Sequence, residues 1–338
     1  MSASELAYRL WIGGEETPHQ TFARDLQMLL RCSEEGRGHA RLWRASSPAL
    51  SLGRFHRRAP DSDALLRRIS GGRIVPIGPD VQCLTAAVPS VDWLDPATAP
   101  LRPDQVLNRG LRSLLELLRG IGVDVFYPGR DLVTARGRVL AHASFTVMRD
   151  GAALLEMHVA ETTSFAVLPE YLSRLDPAGV AAADIASMES AVSLADVGVA
   201  AMSQEDWGRR LGAIIGAGCQ PWIDGADDGR ATLADASAWQ AHQDELGPAP
   251  QGCMTAAAAT MLGVVECSAQ RRGDRLSQLR ISGDVIAPFH TLDQMAHECE
   301  GLPFKMPQVR RVLARVLSQP RSFVLGMNDL DELIGRLG

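Results

Sequence analysis

Lysine is nearly missing from this chain. Of its 34 basic residues only Lys305 is a lysine; the other 33 are arginines. Any chemistry that needs a neutral amine has one candidate, because arginine keeps its charge at every accessible pH. The six cysteines form no C-x-x-C pair, which argues against zinc and thioredoxin-like sites. No apolar run reaches the length of a membrane span, so no membrane association is expected. The start, "MSASELAYRLWIGGEE", lacks a basic stretch followed by an apolar one, and a cytoplasmic protein is expected. A net charge of −6 argues against a broad grip on nucleic acid.

With 338 residues, 46% hydrophobic and 22% charged, the chain has the composition of an ordinary globular protein. Its length suggests two domains. A stretch rich in Gly, Asp, Ala and Pro after residue 222 supplies a linker, giving expected domains over 1–250 and 252–338. The spacing of Phe22, Leu26, Leu29 and Leu30 predicts a helix over 21–32 capped by Thr21, and a leucine stripe predicts one helix over 104–122. Short strands are expected at 41–44, 49–53 and 81–88. Hairpins are expected from 138–148 with 152–160, and across 264–284. Helices near 291–300 and 308–317 complete a small α/β unit. The whole reads as α+β on a largely antiparallel sheet.

One motif invites chemistry. Residues 67–73 read "RRISGGR". A glycine pair lets a backbone approach a ligand closely, and flanking arginines favour phosphate or carboxylate. Neither a P-loop nor the G-x-G-x-x-G fingerprint is present here. By itself such a stretch is more often a turn than a site.

Its neighbours add to it. Trp43, Gly53–Arg54, "RRISGG", the long helix and "GRDL" (129–132) follow one another in order. So do "YLSRLDPAGVAAADIASMESAVSLADV" (171–197) and "LRISGDVIAP" (279–288). This series resembles the lipoate-protein ligase A family, within the biotin and lipoate protein ligase superfamily. The resemblance implies a mixed, largely antiparallel sheet with flanking helices and a small C-terminal accessory domain. It implies ATP, with magnesium, as cofactor, and lipoate or a related medium-chain acid as substrate. The acid would be carried as an acyl-adenylate to a lysine of a lipoyl carrier protein. Ser70, Gly71 and Gly72 would form the loop against that adenylate, Arg67 and Arg68 would fix the loop or reach an anion, and Gly129 and Asp131 would border the nucleotide. For Asp131 a turn cap is an equal reading.

The chain also departs from the pattern. Val139 stands where the family has its lysine, and His142 lies in a segment otherwise built of small residues. The third glycine of the loop is Arg73, which is either a replacement cation or a solvent-facing side chain. Strict strand alternation would turn Arg138 away from the site. Glu156 and His158 bring polar chemistry to the second hairpin strand, and His142 and His158 are expected to face each other there for packing or hydrogen bonding, with no metal. Cys83 reads as a core residue. Two functions follow: an ATP-dependent acyl ligase, or a non-catalytic relative that binds an acyl compound or a carrier domain.

Overall fold

A computed structural model describes residues 8–56, 64–175, 188–216, 219–221, 252–325 and 330–337. Its main sheet has eight strands in the order β11-β1-β2-β6-β10-β9-β8-β7. These are β1 (Arg9–Glu16), β2 (His39–Ala45), β6 (Val81–Val88), β7 (Val125–Phe126), β8 (Leu132–Ala135), β9 (Arg138–Val147), β10 (Ala153–Ala160) and β11 (Cys219–Pro221). Only the pairs of β1 with β2 and β11 run parallel; the other neighbours are antiparallel. A small sheet, β4-β3-β5, is made of β3 (Ala49–Leu52), β4 (Leu65–Arg67) and β5 (Val75–Ile77).

Alternation sorts the main sheet into two faces. Ala153, Leu155, Met157 and Val159 of β10 join one apolar cluster with Ala141, Ala143, Phe145 and Val147 of β9. Leucines 107, 111, 114, 115, 117 and 118 pack there too. They come from α2 (Pro103–Gly110) and α3 (Arg112–Gly120), with Leu111 between them. The helix expected over 104–122 spans Pro103–Gly120 with one irregular residue, Leu111, which keeps helical dihedrals and bonds Leu107 and Leu115, and Gly110 packs so closely that a Cβ there would lie 2.1 Å from Leu155 Cδ2. The opposite face carries α1 (Pro18–Glu35). Its cap is Thr17, not Thr21: Thr17 accepts from the Gln20 amide, whose side chain returns the bond, and Pro18 sits at the first helical position. Thr21 is buried within the helix and its hydroxyl donates to Glu16.

A second unit follows with its own core. Strands β12 (Met254–Thr260), β13 (Gly263–Arg272) and β14 (Arg275–Gly283) form an antiparallel sheet backed by helices Phe289–Cys299, Met306–Leu317 and Leu330–Gly335. The expected linker falls at residues 223–251, outside the described residues. No helix among the described residues is long and apolar enough to cross a membrane.

Candidate functional site

The 68–73 loop lies between the small sheet, the inner face of the main sheet and the second unit. Its glycines are needed for packing. A Cβ on Gly71 would sit 1.9 Å from the Val285 carbonyl oxygen, and one on Gly53 would sit 2.0 Å from the Gly72 carbonyl oxygen. Gly72 has φ +84° and donates its amide to the Val285 carbonyl at 2.6 Å. The "SGG" and "SGDV" segments are thus pressed backbone to backbone, and Gly283 N bonds the Phe55 carbonyl at 3.0 Å beside them. His56 Nε2 lies 3.2 Å from the Gly72 carbonyl oxygen and 3.1 Å from Asp284 Oδ1.

The loop's arginines point inward. Arg68 is 1% exposed, and its guanidinium donates to the carbonyls of Ser51, Gly71 and Arg73 and to the hydroxyls of Ser51, Ser70 and Ser144. Burial pushes Arg68 down to about 10, against the pull of Glu156, Asp131 and Asp284. Arg67 closes β4 and is fully buried. Arg73 does not face solvent: it is 2% exposed, and its Nε donates to Asp131 Oδ2 at 2.7 Å. Asp131 therefore serves as counter-ion to Arg73 in addition to a local backbone hydrogen bond. Burial raises the Asp131 carboxyl to about 6 although Arg73 pulls it down. Gly129, two residues away, is an exposed turn glycine at φ +84° with nothing close to it.

A β-bulge decides what faces the loop. Val133 pairs with Ala141 but Thr134 pairs with Val139, so Leu140 is an extra residue in β9. The bulge reverses the alternation, placing Val139 on the same face as His142, Ser144 and Thr146. Val139 packs in an apolar cluster with Trp43, Leu132 and Ala191. Arg138 is exposed at the strand's start and donates to the Ala191 carbonyl.

Below the loop the sheet is polar. Glu156 Oε2 accepts the Ser70 amide at 2.7 Å, and Ser70 and Ser144 share a hydrogen bond of 2.5 Å. Burial raises the Glu156 carboxyl, opposed chiefly by Arg68 and Ser70. His142 and His158 pair directly across the hairpin with ring centroids 5.7 Å apart, as their positions predict. Burial holds both neutral, His158 down to about 3 and His142 well below its usual range, with Arg68 adding to each. Among the described residues His142 Nδ1 and Nε2, His158 Nδ1 and Asp131 Oδ1 have no hydrogen-bond partner. No group of three metal-binding side chains occurs among the described residues. Cys83 is buried in β6, its thiol raised well above the usual range by burial.

The structure brings together four features that the sequence singled out: the loop, Asp131, Val139 and Glu156. Sequence reasoning missed Ser51, Ser144 and Val285 as loop partners. A glycine in each of "LGR", "SGG" and "SGD" was the available signal for close backbone packing.

No family model matches the sequence, and no curated protein matches it. Solved structures do. The Plasmodium falciparum protein LipL1, in complex with lipoate, is similar with a TM-score of 0.66 at 11% identity, over 98% of this chain and 99% of that one. A bi-partite lipoate protein ligase from Thermoplasma acidophilum, described with its E2 lipoyl domain, has a TM-score of 0.50 at 14% identity, over 71% of this chain and 93% of that one. The eight-stranded mixed sheet with its flanking helices and small C-terminal unit is the lipoate-protein ligase fold.

Proposed function

We propose that this protein binds an acyl acid of the lipoate type on a lipoate-ligase scaffold without activating it as an adenylate. The observation that carries this reading is the bond from the Ser70 amide to Glu156. An adenylate needs amide donors and positive charge free to meet a phosphate. Here Ser70 N is held by a carboxylate, Gly72 N by a carbonyl, and Arg68 by six oxygens of the chain itself. Arg73, the replacement cation suggested by the sequence, has Asp131 for its counter-ion. Val139 brings neither donor nor charge to the lysine position. A phosphate at this loop would meet the Glu156 carboxylate directly beneath it. The residues present therefore do not fit ATP and magnesium, and no catalytic step is assigned to them.

In this reading residues 1–250 carry the loop and the main sheet, and 252–338 form the accessory unit. The protein partner to test is a lipoyl carrier domain of the kind named with the Thermoplasma ligase. The second reading, an active acyl ligase, draws on the unpartnered polar atoms of His142, His158 and Asp131, since such buried clusters gather at reactive sites.

Purified protein incubated with ATP, magnesium and lipoate, octanoate or biotin should release no pyrophosphate above an acid-free control. Lipoate or octanoate alone should raise the melting temperature, because a ligand that binds only the folded state stabilises it. Acid-dependent pyrophosphate release would overturn the proposal in favour of the ligase. No thermal shift with any acid would overturn acid binding.

A further inference from the structure

The protein contains a cleft between its two units, on the outer side of the 68–73 loop. Arg54 and Phe55 form one wall; Arg280 and Ile281 of β14 form another, with Leu292 and Asp293 of helix Phe289–Cys299. The cavity holds about 330 Å³, the size of a small-molecule site.

Its lining has a definite character. Phe55, Ile281 and Leu292 are buried apolar side chains. Arg280 is half-buried, and its guanidinium makes no ion pair or hydrogen bond among the described residues. A partly desolvated cation lacking a counter-ion favours an anion beside it. Arg54 on the facing wall acts on Asp293 and offsets its charge, which leaves Arg280 as the cation facing the cleft. Asp293 is exposed at the cleft and repels a second negative group there. One negative charge and a hydrocarbon body satisfy all three features; a multiply charged phosphate does not.

We propose that this cleft is a binding site for an amphipathic monocarboxylate, with its carboxylate on Arg280 and its chain against Phe55, Ile281 and Leu292. The inference rests on the acid-binding reading above and places the acid outside the loop pocket that Glu156 and Arg68 fill. It also couples the ligand to domain docking. Phe55 gives its carbonyl to Gly283, and its ring would meet a Cβ on Gly71 at 3.1 Å. A ligand against Phe55 therefore presses on the contact that joins the two units.

The test is calorimetric titration of the full chain with octanoate, octanamide and inorganic phosphate. Wild-type protein should bind octanoate, and octanamide and phosphate at least about tenfold more weakly. Arg280→Gln should weaken octanoate by about tenfold to a hundredfold, the range for a lost charge-assisted hydrogen bond. Arg272→Gln, at the exposed hairpin tip, should not change it. Octanoate binding equal in wild type and Arg280→Gln overturns the cleft while leaving the acid-binding reading intact. Phosphate binding as tight as octanoate overturns the ligand class. No binding of octanoate overturns both the cleft and the reading it rests on.

Discussion

Removing the Arg73 guanidinium tests the inward loop most directly. Arg73 and Asp131 are 2% and 0% exposed at the side chain and bond at 2.7 Å. Arg73→Met keeps much of the apolar stem and leaves the Asp131 carboxylate buried without its counter-ion. Breaking such a pair costs about 3–5 kcal/mol. The cost must depend on pH. In the wild type, burial already holds Asp131 up near 6, above its unfolded value of about 4. A raised carboxyl contributes stability below the unfolded value, and that contribution is lost as pH rises through about 6. Without Arg73 the folded carboxyl rises further, so the variant keeps losing stability above pH 6, by up to about 1.4 kcal/mol per pH unit. Urea unfolding should show Arg73→Met destabilised by about 3–5 kcal/mol at pH 8, and by distinctly less at pH 5.5. Arg73→Met/Asp131→Leu, which removes both charges, should recover most of the loss. A penalty below about 1 kcal/mol, or one equal at both pH values, would refute the buried-pair account.

Gly71→Ala should cost about 2–3 kcal/mol in thermal or urea unfolding, since its Cβ meets the Val285 backbone. Gly129→Ala, at an open turn with φ +84°, should cost only about 1 kcal/mol. Glu156→Gln should be neutral or stabilising in the same assay, because it keeps an acceptor for Ser70 and removes a carboxylate that burial disfavours. Glu156→Ala should lose about 1–3 kcal/mol by orphaning the Ser70 amide. The His142 and His158 ring protons should show no NMR titration between pH 8 and 5 in the folded protein. Depressed histidines give stability above their unfolded value of about 6.5, lost as pH falls below it, so His158→Gln should blunt the acid destabilisation. Cys83 should resist a thiol reagent until the protein unfolds.

Local rules carried much of the fold. Residues 81–88 form a strand as expected, and the two hairpins appear within a residue or two of their sequence bounds, because alternation and turn residues act over a few positions. The failures have nonlocal causes. The leucine stripe at 104–122 predicted the helical run, but not that Gly110 must stay small to pack against Leu155 on a distant strand. Thr17 was hidden as a cap because Thr21 stands next to the first apolar residue of the stripe, whereas the Thr17–Gln20 reciprocity sets the start.

At the site, the sequence alone determined which groups are available. It provides no lysine near the loop, an arginine after the glycine pair, valine at 139, and Glu156 with two histidines on the hairpin. Tertiary structure decided what those groups do. Whether Arg73 meets solvent or Asp131 depends on a pairing across 58 residues. Whether Val139 and His142 share a face depends on one extra residue at Leu140, visible only in the register against β8. The glycine pair that first suggested a phosphate cradle is pressed against Val285, more than 200 residues away. Side-chain chemistry is written residue by residue, but burial and partner choice are properties of the packed chain, and here they turn the arginines of the 67–73 motif toward the protein itself.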